Sequence, residues 1–347
     1  MTTTMSTWKD LPRRILTVTV GVPSIILLLR NPVTAWLFFQ GAHLLCLLEW
    51  RALAPDAGRT APAGKTAGVD SEGSGSLIHR LRARILLEGT SEDTPLRRLM
   101  FCVFVAASII ATIAPTELLP LVAMAHGVAL RLAPHLPRFR RRDCVDSTGD
   151  EVNALLGMQH YLFGSVYISL GFHFILKVLL IGGPAHVGNL LFIVWMSDTG
   201  ALIAGRAAKT KKVKTDEGEP ENEETRGAFL SFVKSISPGK TLPGLFGAVL
   251  TGPLSAMCYA SLAPNPLYRS GTFLSCVHGN LITQQVLAGL ALSTVGIVGD
   301  LAESSVKRTS KKKDSGGLLP GHGGVVDRFD SLFVAGTVYY YISLLPR

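Results

Sequence analysis

The sequence predicts an all-α, polytopic integral membrane protein with about nine transmembrane helices and a cytoplasmic N-terminus. Three observations predict it. Of 347 residues, 48% are hydrophobic and only 17% charged, whereas a soluble domain carries roughly a quarter charged residues. The apolar residues fall in long runs. The net charge of +9, from 34 Lys and Arg against 25 Asp and Glu, sits in the loops between those runs, which fits membrane topology better than nucleic-acid binding. A disordered chain, a disulfide scaffold and an ordinary soluble enzyme are excluded.

The apolar segments run over 15–29, 33–48, 99–114, 117–132, 158–181, 187–204, 242–262, 279–298 and 330–345. The weakest are 33–48, which holds Gln40 and His43, and 117–132, which holds His126 and Arg131. Only about ten residues precede the first run and no small-residue cleavage site follows it, so no cleavable signal is expected. Residues 1–132 are read as N-terminal spans with a flexible cytoplasmic insert at 51–98, rich in Gly, Ala, Ser and Pro over 51–76. Residues 133–157 form a basic cytoplasmic loop whose Arg138, Arg140, Arg141 and Arg142 suit anionic headgroups or simply set topology. Residues 158–347 carry the chemistry, with a disordered charged insert at 206–235 and a dense motif at 299–330.

Orientation follows from the loops. With the N-terminus inside, the outer segments hold only Arg30, Arg269 and Arg347. Lys177 lies within a span and Arg131 at the inner end of another. Every other Lys and Arg is inside, as the positive-inside rule requires. Of the cysteines, Cys46, Cys102 and Cys258 lie in apolar runs, and with Cys144 and Cys276 they show no CxxC spacing. They read as packing residues.

Three places break the apolar pattern. Asp198, in LLFIVWMSDTGALIAG, is a carboxylate inside a span, which costs about 2.5–3.5 kcal/mol on insertion scales. A metal, a hydrated cavity or a basic neighbour must offset it. The second place is 299–330. Asp300 and Glu303 share one helix face where the eighth span ends, and Asp327 and Asp330 repeat that spacing where the ninth begins. Between them lie Lys307, Arg308, Lys311, Lys312, Lys313 and the turn PGHGG. Carboxylate oxygens suit a hard cation such as Mg2+; basic side chains and glycine backbone suit phosphates. The bland alternative is a basic loop with interfacial acids. The third is Ser237-Pro238-Gly239-Lys240-Thr241. It ends like a P-loop, but Lys234 stands where the first glycine belongs and no strand precedes it. A turn presenting Lys240 at the interface remains.

The residues Ser304, Val306, Lys307, Arg308, Lys313, Asp314, Pro320, His322, Gly323, Gly324, Val325, Asp327, Arg328, Phe329 and Asp330 fall in register with the signature of the phosphatidate cytidylyltransferases, or CDP-diacylglycerol synthases, which this segment resembles. WMSDTGA, SPGKT and GDLAES resemble further blocks of that family in the expected order, the last nearer the bacterial and plastid branch. Leu202 departs from the aromatic common after D-x-G-A, Leu242-Pro243-Gly244 from the usual W-E-G, and the loop 206–235 is longer than the bacterial form.

The resemblance implies transfer of CMP from CTP to phosphatidate, releasing pyrophosphate, with Mg2+ and with or without a second cation. It implies Asp300 and Asp327 as leading metal ligands, with Asp198 and Asp330 as further ligands or their supports. Asp314 is implied as a ligand or as the holder of the adjacent basic run. Lys240, Lys307, Arg308, Lys313 and Arg328 would contact phosphates, and Ser237, Thr241, Ser304 and Ser197 would help bind them. His322 is either an acid on leaving pyrophosphate or a hydrogen bond within its turn. No Ser-His-Asp context supports a covalent nucleophile. The expected partners are CTP, phosphatidate and the bilayer, with no nucleic acid, and a homodimer is compatible. The expected site is a plastid or other organelle inner membrane, endoplasmic reticulum or bacterial cell membrane, with the active site on the cytoplasmic or equivalent side. Two rivals are a transporter using Asp198 as a coupling acid, which calls for inverted repeats that are absent, and a CDP-alcohol phosphotransferase, whose D-G-x2-A-R run is missing.

Overall fold

The computed structural model describes residues 11–54, 95–115, 147–215, 228–262, 281–310, 312–318 and 323–343. The fourth apolar segment (117–132), the basic cluster Arg138–Arg142, most of the inserts 51–98 and 206–235, Lys311, His322, Cys144 and Cys276 lie outside these residues. Among those described, every extended element is helical. In chain order they are α1 (Leu11–Leu29), α2 (Pro32–Ala52), α3 (Pro95–Ile113), α4 (Ser147–Gly164), α5 (Leu170–Lys177), α6 (Pro184–Thr215), α7 (Ala228–Ile236), α8 (Leu242–Leu262), α9 (Leu281–Thr309) and α10 (Val326–Ser343).

Local chemistry sets many boundaries. Pro32, Pro95 and Pro184 stand at first helical positions, where a missing N–H costs nothing. Asn31 caps α2, its Oδ1 accepting from Val33 N at 2.8 Å. Two π-helical stretches, Ser165–Ser169 and Val178–Gly182, flank α5. Gly183, at φ 81°, then ends the run and lets α6 leave in a new direction. The helix α6 continues to Thr215, beyond the apolar segment. Its polar extension, AAKTKKVKT, is rich in good helix formers.

Helices overlie eight of the nine apolar segments. Five stretches are long and apolar enough to cross a membrane: Pro32–Ala52, Leu156–Gly182, Pro184–Ala208, Leu242–Leu262 and Ile282–Thr309. The described residues are thus nearly all helical, with five potential membrane spans among them.

The chain forms two compact units. The first comprises residues up to His43 and from Leu170 onward; the second runs from Leu44 to Ser169. In the second, Trp50 and His160 lock α2 to α4 reciprocally. Trp50 Nε1 donates to His160 O at 3.1 Å, and His160 Nε2 meets Trp50 O at 2.9 Å. Their rings stack with centroids 4.9 Å apart.

In the first unit α8 packs between α6 and α9, and α9 packs on α10. Glycines set these crossings, as small residues do between apolar helices. A Cβ on Gly247 would fall 2.6 Å from Gly200 O, closing α8 on α6. A Cβ on Gly299 would fall 2.5 Å from Asp330 O. Backbone contact at Gly299 therefore brings Asp300 beside Asp330. Phe329 anchors the start of α10 against Phe172, at a centroid distance of 5.1 Å.

Candidate active site

The sequence places acids near the ends of three apolar runs, and the fold gathers them. Asp198 and Asp300 line one cleft of about 350 Å³, between α6, α8 and α9. Lys240, Thr241, Leu202, Leu245, Ala248 and Ile297 share its wall. It is therefore charged in part and apolar in part. Lys240 Nζ lies 2.6 Å from Asp300 Oδ2. The charges of Asp300, Lys240 and Arg328 all act on Asp198, so this acid of α6 has both like and unlike neighbours.

Asp300, Glu303 and Asp330 form the second feature. Each offers an oxygen, and all three lie within 4.8 Å of one another. Glu303 is wholly buried and forms an ion pair with Lys307. Ser304 Oγ donates to Asp300 Oδ1 at 3.3 Å. Gathering three carboxylates is unfavourable unless cations offset their repulsion. A set of oxygen donors fits a hard divalent ion.

Asp327 has other company. Its Oδ1 accepts from Lys307 Nζ at 2.8 Å. Its Oδ2 accepts from Ser315 N at 3.1 Å and Gly324 N at 2.7 Å. Burial on its own would raise this carboxyl; the bonds within the cluster, with the Lys307 charge and the Gly324 N–H, hold it below the usual carboxylate range. Gly323 takes φ 79°, and a Cβ there would sit 2.5 Å from Asp327 Oδ2. Only glycine leaves that carboxylate in place.

The remaining candidates divide. Thr241 accepts from Gly244 N at 3.2 Å through Oγ1 and so caps α8. Ser237 accepts from Lys240 N at 3.1 Å through its carbonyl, closing the turn. Ser197 Oγ donates to Ala248 O at 3.0 Å across the α6–α8 contact. Arg308 Nε donates to Ile236 O at 3.3 Å, fastening α9 to α7. Lys313, Asp314 and Arg328 are exposed. His322 lies outside the described residues. Two residues in this region carried little signal in the sequence. Glu303 was visible only through its spacing from Asp300. Arg206 lines the cleft but looks like the first residue of a charged insert. Its place eight residues after Asp198, two turns on and on the same helical face, was the available clue.

Residues 231–345 match the model of the Cytidylyltransferase family. Phosphatidate cytidylyltransferase of Bacillus subtilis (strain 168) is 31% identical over 183 residues, covering 52% of this chain and 56% of that protein. The phosphatidate cytidylyltransferase of Haemophilus influenzae is 32% identical over 152 residues, covering 44% of this chain and 43% of its own. The uncharacterized protein YnbB of Escherichia coli (strain K12) is 43% identical over 160 residues, covering 46% and 43%. The chain spans about half the length of the curated relatives it matches.

The helices carry Asp198, Asp300 and Lys240 to one cleft. Residues 231–345, about a third of the chain, are similar to the Cytidylyltransferase family. The relatives that carry an activity in their names are phosphatidate cytidylyltransferases.

Proposed function

We propose that this protein transfers the cytidylyl group of CTP to phosphatidate, giving CDP-diacylglycerol and pyrophosphate for phospholipid synthesis. One observation carries the reading: Asp198, Asp300 and Lys240 meet in a cleft whose other wall is apolar. Such a cleft offers cation and anion sites to phosphates and apolar surface to a lipid. In this reading nine helices span the bilayer with the N-terminus inside. The cleft faces the cytoplasm, or its equivalent, of an organelle or bacterial membrane.

The phosphomonoester oxygen of phosphatidate attacks the α-phosphorus of CTP. The bond from that phosphorus to the bridging oxygen breaks, and pyrophosphate leaves with the electron pair. The nucleophile is already anionic, so no strong base is needed. The barrier is bringing anions together in the right line, which positioning and charge lower. Asp300, Glu303 and Asp330 would hold Mg2+, with Asp198 on the facing helix as support. When bound there, the ion supplies charge stabilisation to the phosphates. Lys240 pairs with Asp300 and can turn to a phosphate at the same place. Asp327 holds Lys307, Ser315 N and Gly324 N next to the acids. Lys313, Arg328 and Arg308 are exposed cations for phosphates of nucleotide or lipid headgroup; Asp314 steadies them.

The test supplies purified full-length protein with CTP, phosphatidate vesicles and Mg2+, and detects CDP-diacylglycerol by mass spectrometry. Product formation with equimolar pyrophosphate supports the reading; neither product overturns it. The transporter reading of Asp198 finds no support, because its partners Asp300 and Lys240 belong to the family motifs.

A further inference from the structure

We infer that Arg206 is a further substrate-binding residue that grips the terminal phosphates of CTP, the part that departs as pyrophosphate. The inference rests on the CTP reading above. Asp198, Leu202 and Arg206 recur every four residues on α6, share one face, and all line the cleft. Eight residues of helix place Arg206 about 12 Å along the axis from Asp198. The two side chains therefore serve different parts of one extended ligand. Asp198 lies with Asp300 at the end where the acids gather. Arg206 lies at the other end, where the apolar stretch Pro184–Ala208 finishes and α6 runs on as a polar helix to Thr215.

The neighbouring backbone fixes what Arg206 faces. A Cβ on Gly205 would meet Thr241 Oγ1 at 3.0 Å and lie 3.7 Å from Gly244 Cα. This contact holds α6 against the Ser237–Thr241 turn, and Arg206 lines the cleft together with Gly239, Lys240 and Thr241. Lys240 in that turn already reaches back to Asp300 at 2.6 Å. A nucleotide whose α-phosphate lies near Asp300 extends its chain past Lys240 toward Arg206. A guanidinium has a planar fork that binds phosphate oxygens in pairs, which an ammonium cannot reproduce.

The test is steady-state kinetics of the full chain in phosphatidate micelles, with calorimetric titration of CTP and of pyrophosphate. Arg206→Gln is expected to raise the KM for CTP and the inhibition constant for pyrophosphate together, by about tenfold or more, with the KM for phosphatidate within about twofold. Arg206→Lys should recover part of the loss, and both variants should melt with the wild type. Unchanged CTP and pyrophosphate constants, or a rise confined to phosphatidate, would overturn the inference. If wild-type protein turns over no CTP, the functional reading fails on its own. Titration of wild type and Arg206→Gln with pyrophosphate then still decides the matter: equal affinities overturn the role of Arg206, and a tenfold difference upholds it.

Discussion

Lys240 Nζ lies 2.6 Å from Asp300 Oδ2, and this pair joins the turn ahead of α8 to the C-terminal part of α9. Removing one partner of a half-buried pair leaves the other charge exposed to a poorer environment. Asp300→Asn should abolish CTP-dependent activity, to below about 1% of wild type, while Lys240→Met should mainly weaken CTP binding. Turnover and CTP titration of the two variants check this. Wild-type rates in Asp300→Asn would remove the residue from the site.

Glu303 completes the trio of carboxylates within 4.8 Å. Glu303→Gln keeps the shape and removes one charge. Affinity for Mg2+ or Mn2+ should fall about 10- to 100-fold. Calorimetric metal titration in the absence of nucleotide measures it directly. An unchanged metal affinity would assign Glu303 to Lys307 alone.

Asp327 receives Lys307, Ser315 N and Gly324 N. Asp327→Ala strands these donors, and hydrogen bonds to charged groups contribute about 1.5–3 kcal/mol each. We expect a loss of about that size in unfolding stability, with faster proteolysis between 310 and 326. Equal stability and equal cleavage would contradict the clamp.

Gly299 touches the backbone of Asp330, where an added Cβ would lie 2.5 Å from the carbonyl oxygen. Gly299→Ala should cost about 1–3 kcal/mol through overpacking and lower activity by moving Asp330 from Asp300. Gly41, with nothing within 4 Å of its position, is the control. Gly41→Ala should leave stability and activity unchanged or slightly improved.

The sequence pattern makes the helices legible because apolar runs bounded by Pro, Asn and Gly leave few alternatives. The acids Asp198, Asp300 and Asp330 stand out for the same reason, since a carboxylate at an apolar segment needs an explanation. Their convergence was not legible. It depends on Gly200, Gly247 and Gly299 letting helices touch, and nothing local distinguishes such a glycine from any other. Spacing alone also makes Asp327 the equal of Asp330. Their difference comes from Gly323, whose left-handed backbone aims Gly324 N at Asp327. Thr241 and Arg308 read as phosphate contacts in a basic motif, and their bonds within the fold, one capping α8 and the other fastening α9 to α7, were not legible there. Arg206 was hidden because α6 outlasts its apolar stretch, so a residue that reads as loop belongs to the cleft.

The most direct test of the central claim uses purified protein, phosphatidate and CTP labelled at the α-phosphorus, with and without Mg2+, for wild type and Asp300→Asn. The account predicts label in chloroform-soluble lipid from wild type with Mg2+ only, and none from the variant. Label that stays in the aqueous phase in every arm, or that enters lipid equally from Asp300→Asn, would contradict it.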